Sequence, residues 1–223
     1  SDYVLHTHAI NTIAVSVLRN AEKVLGEKLR ELSWGFVPYY KPGMALAKAI
    51  DRLGCPSVVV LGNHGLVTSS NSLEEAKLLT DEVENRLRPS TDIIDSTLSA
   101  SPSSIKGYVS LSSQLVEKLV NDRVLLDLVC KAPLYPDHVV FLGAEIKVYE
   151  KDNLPTEFPS WFIIEGDSIY VEETRKPAVD TMIDAFVKIA SRIDSESLLQ
   201  YLSDSECQEL MNWDMEKHRK DNS

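Results

Sequence analysis

The sequence predicts an α/β protein, and three observations carry that reading. β-branched runs alternate with amphipathic helical stretches, Gly and Pro punctuate them at short intervals, and the composition is that of an ordinary folded chain. Of 223 residues, 43% are hydrophobic and 26% charged. That length suits one large domain or two small ones.

Taken in order, DYVLHTH (residues 2–8) reads as a strand already under way, continuing a segment that precedes Ser1. Residues 10–32 hold Ile13, Val17 and Val24 at helical spacing and predict one helix or two. SWGFVPYYKPG (33–43) carries Gly35, Pro38, Pro42 and Gly43 and reads as a loop. MALAKAIDRLG is a short helix closed by Gly54. PSVVVLGNHGLVTSS predicts two strands around a turn, because Gly62 and Gly65 tolerate close or left-handed backbone. Ser72 and Glu75 stand at capping-box spacing before a long helix. Residues 91–104, polar and rich in Ser and Pro, read as a linker or loop between a first domain, 1–90, and a C-terminal extension, 105–223. In the extension, 110–132 predicts a helix, DHVVFLG, IKVYE and WFIIEGDSIYV predict strands, and 176–193 predicts a helix with Pro177 near its start. The tail from Ser195 onward reads as helical before it runs into charge.

The halves echo one another. DYVLHTHAIN resembles DHVVFLGAEI (137–146), and PSVVVLGNHGLV resembles PSWFIIEGDSIYV. A degenerate duplication is expected, with Phe141 and Gly143 in the places of His6 and His8.

In a strand, residues i and i+2 share a face, so His6 and His8 stand side by side with Thr7 turned away. His64, between glycines in GNHG, supplies a third imidazole. Three His ligands and an open position are one known zinc set. Imidazoles bonded to backbone carbonyls are the other reading, and spacing alone leaves both open. Asn63 reads as a turn residue or as a partner of the His64 site. His138 reads as a structural imidazole hydrogen-bonded at a strand start, His218 as solvated, and Trp34, Trp161 and Trp213 as packing residues. Glu74 and Glu75 lie in a first helical turn, where carboxylates favour the dipole.

VLHTHAINTIAVS, PYYKPGMALAKAI and VVVLGNHGLVTSSNSLEEAKLLTDEVENRL together resemble the class II aldolase/adducin family, in order, spacing and flanking residues across 3–88. YPDHVVFLG, EGDSIYVEETRKPAVD and LLQYLSDSECQELMNWDMEKHRK are similar to the end of the aldolase part of bifunctional rhamnulose-phosphate aldolase–dehydrogenase proteins. The resemblance implies a three-layer α/β/α fold with a C-terminal α+β extension. It implies a divalent ion, usually zinc, on His6, His8 and His64, and aldol chemistry on a sugar or sugar phosphate through a stabilised enediolate. It also implies a homo-oligomer, by family a tetramer. The acid/base glutamate and the phosphate-gripping loop of such aldolases correspond to chain upstream of Ser1. The tyrosine that family sites borrow from a neighbouring subunit has no match between His8 and Trp34, and Tyr39 and Tyr40 read as packing residues. The same three-His site also supports epimerases, dehydratases and decarboxylases, and adducin-like modules keep the fold for assembly.

A net charge of −11 argues against nucleic-acid or anionic-membrane partners, which need clustered Lys and Arg. Cys55, Cys130 and Cys207 form no CxxC pair and suit a reducing compartment. With no apolar run of the roughly 18 residues that span a bilayer, no signal-peptide pattern and no GxGxxG fingerprint, the expectation is a cytoplasmic protein without a dinucleotide site.

Overall fold

The computed structural model describes residues 2–90 and 96–213. They divide into two units: Ser1–Thr91 with Ser197–Tyr201, and Asp92–Glu196 with Leu202–Ser223. Both are mixed α/β.

The first unit runs β1 (Tyr3–Thr7), α1 (Ile10–Ser16), α2 (Ala21–Lys28), β2 (Trp34–Val37), α3 (Met44–Asp51), β3 (Val58–Leu61), β4 (Gly65–Ser70) and α4 (Leu73–Leu87). Its sheet has the order β1-β4-β3-β2, with β2 parallel to β3 and the other pairs antiparallel. Pleating sends alternate residues to opposite faces. One face packs Val58, Val60 and Leu66 against Leu25, Leu29, Val83 and Leu87 from α2 and α4. The other packs Val37, Val59 and Leu61 under Leu46, Ala49, Ile50 and Leu53, from α3 and the turn after it. Leu25, Val58, Val60 and Leu66 are fully buried, each contributing about 1.5–3 kcal/mol of hydrophobic stabilisation.

The stretch 33–43, expected to be a loop, contains β2. Gly35 is there for packing: a Cβ would come within 2.8 Å of Leu53 Cδ1. Pro38 and Pro42 follow the strand rather than interrupt it. At α4, Ser72 Oγ accepts the Glu75 N–H at 3.2 Å, but the Glu75 carboxylate accepts Ser70 Oγ instead of closing the box.

The second unit runs β5 (Ser99–Pro102), β6 (Tyr108–Ser112), α5 (Gln114–Asn121), α6 (Arg123–Val129), a π-helical turn (His138–Leu142), β7 (Val148–Tyr149), β8 (Trp161–Ile164), β9 (Ser168–Glu172), α7 (Pro177–Ala190) and α8 (Asp204–Met211). Its sheet has the order β5-β6-β9-β8-β7, with β7 parallel to β8 and the rest antiparallel. Four expectations are corrected here. Part of the Ser/Pro-rich stretch is β5, an edge strand, where Pro102 is tolerated. The single helix over 110–132 is two, preceded by the end of β6 and divided where Asp122 caps α6 by accepting the Leu125 N–H at 3.0 Å. The apolar run DHVVFLG is a helical turn, not a strand; His138, Val139, Val140 and Leu142 are all buried, and an evenly buried run carries no period to tell the two apart. Finally, 197–201 is not helical. It returns to the first unit, where Leu199 bridges Leu18.

Four strands of the second sheet, β6-β9-β8-β7, repeat the order and directions of β1-β4-β3-β2. Both β-hairpins (β3–β4 and β8–β9) turn through three residues, Gly62–His64 and Glu165–Asp167, whose middle residues take positive φ: 54° at Asn63 and 69° at Gly166. Backbone bonds flanking the turns match. Gly62 N donates to Val37 O at 2.8 Å and Glu165 N to Tyr149 O at 2.9 Å. Asn63 N donates to Ser16 O at 3.4 Å and Gly166 N to Val120 O at 2.8 Å, while Ser69 N to Ser57 O and Glu172 N to Ser160 O are both 2.9 Å. The counterpart of β1 is therefore β6 and not residues 137–146. Ser110 and Ser112, rather than Phe141 and Gly143, take the places of His6 and His8, and Asp167 that of His64.

Candidate metal centre

β1 puts His6 and Val67 opposite one another and Thr7 opposite Leu66, so the end of β1 runs past the Gly62–His64 turn. Gly65 permits this approach, because a Cβ there would lie 2.4 Å from Thr7 O. His6 and His8 share a face, and His64 meets them from the turn. The three ring centroids are 5.0 Å apart in every pair. One ring nitrogen from each of His6, His8 and His64 lies within 4.8 Å of the others. His64 is buried, His8 half-buried and His6 exposed.

Local bonds orient the rings. His6 Nδ1 lies 3.0 Å from Leu66 O. A carbonyl only accepts, so Nδ1 carries the proton and Nε2 keeps its lone pair. Asn63, left-handed ahead of His64, donates from Nδ2 to Gln200 O at 2.7 Å. The strap carrying Gln200 is itself tied to α1: Arg19 N donates to Leu198 O at 2.8 Å and Gln200 N to Val17 O at 2.7 Å.

The donor set could hold a divalent cation. Neutral imidazoles are borderline-soft ligands, and a tetrahedral ion with Zn–N near 2.0–2.1 Å needs nitrogens about 3.4 Å apart.

Sequence reasoning missed Glu84. From α4, its Oε2 accepts the Asn11 N–H at 2.9 Å, and its Oε1 accepts the Thr12 N–H at 2.8 Å and Thr12 Oγ1 at 2.7 Å. It thus caps α1 two residues beyond His8, from 72 positions away, and no local pattern announces it. Glu84→Ala is expected to lose about 2–4 kcal/mol of stability, as charge-assisted bonds to buried donors do. Urea unfolding of the two proteins checks this.

His138 is not part of the centre. It is buried in the second unit, its ring 5.7 Å from Tyr135, 5.9 Å from Trp161 and 5.3 Å from Phe186. Neither nitrogen has a hydrogen-bond partner among the described residues, so the expected bonded imidazole is corrected to an apolar-packed one. Burial lowers its pKa to about 3. Trp161 is buried and donates Nε1–H to Leu142 O at 2.7 Å; Trp34 packs on the α2–α4 core. His218 lies outside the described residues. Cys55 is exposed, Cys130 half-buried and Cys207 buried, all as thiols. Among the described residues no helix is long and apolar enough to cross a membrane.

Residues 1–89 match the family model of the class II aldolase and adducin N-terminal domain. No curated protein and no solved structure matches the chain significantly.

Proposed function

Proceeding from residues 1–89 as a class II aldolase and adducin N-terminal domain, we propose that the chain is a metal-dependent, aldolase-type lyase acting on a sugar or sugar phosphate. The family holds class II aldolases and also non-catalytic adducins, and it points in general to small-molecule substrates and oligomers. The observation that favours the enzyme is the convergence of His6, His8 and His64, since an assembly module has no use for three mutually facing imidazoles.

His6, His8 and His64 would hold the ion, zinc by their chemistry. Bound there, a divalent cation supplies Lewis-acid stabilisation for the oxyanion charge that develops when a carbon–carbon bond beside a carbonyl breaks. The chain's own residues keep the donors in place. The Leu66 carbonyl holds the His6 tautomer, the Asn63–Gln200 bond holds the turn, and Glu84 holds the start of α1. In this reading residues 1–90 carry the chemistry as a three-layer α/β/α domain, and 105–223 form its extension. The active form is a homo-oligomer, a tetramer by family, in the cytoplasm.

Metal analysis of the purified protein tests the reading. One zinc per chain is expected, falling below a tenth in His64→Ala, together with metal-dependent retro-aldol cleavage of a ketose phosphate. Protein that binds no divalent ion overturns it.

A further inference from the structure

The face of the first sheet that carries His6 and His8 also carries a pocket of about 440 Å³. Val4, Val59 and Val67 of the sheet line it, with Ile50 and Asp51 of α3 and Cys55. Val67 is the cross-strand partner of His6 and Val4 lies two residues before it, so the pocket begins one pleat from the histidines.

The matched registers give the second unit's residues at these positions. Val4, paired with Ser69, corresponds to Tyr108, paired with Glu172. Val59 and Val67 pair with one another, as do their counterparts Phe162 and Tyr170. Cys55, ahead of Pro56-Ser57, corresponds to Phe158, ahead of Pro159-Ser160. All four counterparts are aromatic and form one cluster: Phe162 stacks on Phe158 at 4.4 Å and on Tyr170 at 5.2 Å, and Tyr108 meets it edge-on at 5.3 Å. In the first unit α3 stands over this sheet face and leaves the pocket beneath it; in the second, with no helix between β7 and β8, the rings themselves cover the corresponding face.

We propose that the second unit is a degenerate duplicate of the first, and that the sheet face covered there by aromatic side chains is left open in the first, beneath α3, to bind a small molecule bearing an aromatic ring. The volume falls within the roughly 300–1,000 Å³ of small-ligand sites. Its lining is mostly apolar, with the Asp51 carboxylate as an acceptor for a hydroxyl on the ring. Leaving the patch open also has a cost. Val4 is 64% exposed, and a ring laid over such valines removes their apolar surface from water. The second unit demonstrates that the same strands accept those rings. The inference concerns the pocket and does not depend on what the histidines hold.

The test uses 4-methylphenol as the probe and the full chain labelled at its Val and Ile methyl groups. Saturable NMR shifts are expected at Val59, Val67 and Ile50, with a dissociation constant on the order of 1 mM for so small a ligand. The pocket-filling variant V4Y/V67Y is expected to bind at least tenfold more weakly. V4Y alone, at an exposed position that cannot unfold the protein, is expected to weaken binding less. Metal content, measured alongside, stays that of the wild type. Absence of a saturable shift in the wild type, or undiminished binding by both variants, overturns the proposal. Shifts at these methyls that track protein concentration without the probe would place a second copy's side chain in the pocket, and overturn it too.

Discussion

Gly65→Ala is expected to abolish stoichiometric metal binding without touching a ligand. The new Cβ would sit 2.4 Å from Thr7 O and 3.3 Å from His8 Cα, and both are backbone atoms that cannot swing aside. Relief comes only by moving the end of β1 away from the turn, which separates His6 and His8 from His64. Such overpacking costs about 1–3 kcal/mol of stability. The metal affinity is expected to fall by at least about 100-fold, beyond the 10–100-fold typical of losing one supporting contact around a metal. Isothermal titration with zinc and urea unfolding measure the two effects. Ser69→Ala, on the same strand, serves as the control and is expected to stay within twofold of wild type. Wild-type affinity in Gly65→Ala would show that the three imidazoles do not form the site as a unit.

His138 carries the second large effect, and it is one of pH. The folded protein keeps the ring neutral, with a pKa lowered from 6.5 to about 3 by burial. The unfolded chain takes up a proton near pH 6.5. Stability is therefore unaffected by this group above pH 6.5 and is lost as pH falls from there toward 3, because the unfolded state then binds the extra proton. Between pH 7 and 4.5 the loss from this residue alone is about 3 kcal/mol. His138→Phe fits the Tyr135–Trp161–Phe186 surroundings and cannot titrate. Its urea stability is expected to fall less over that interval by this difference, and at pH 7 to match or exceed the wild type, since two unpartnered nitrogens are gone. Equal acid losses in the two proteins would refute the assignment.

How much of this was legible in the residues depends on the range of the interactions. β3, the GNHG turn, β4 and α4 were read correctly because each rests on neighbours: a Val run, glycines flanking a histidine, a Ser cap before a helix. The His6–Thr7–His8 geometry followed from the pleat alone. Strands β2 and β6 were missed because WGFV and YVSLS are short and mix glycine or serine with apolar residues. Their pairing is made across distance: Trp34 with Val58, and Tyr108 with Glu172. Glu84 and the Asn63–Gln200 bond were invisible for the same reason, joining residues 72 and 137 positions apart. The duplication was expected, but its first strand was placed on an apolar run that is helical. Ser110 and Ser112, at the register positions of His6 and His8, share no residue type with them that a sequence comparison could find.

The strap through Gln200 has a consequence for biosynthesis. Asn63 leaves the ribosome well before the acceptor that holds its side chain, the carbonyl of Gln200, 137 residues later. At about 5–20 residues per second of elongation, the turn waits roughly 7–27 s for its last tether. A nascent chain that has already exposed the three histidines therefore still lacks the bond that steadies the turn between β3 and β4.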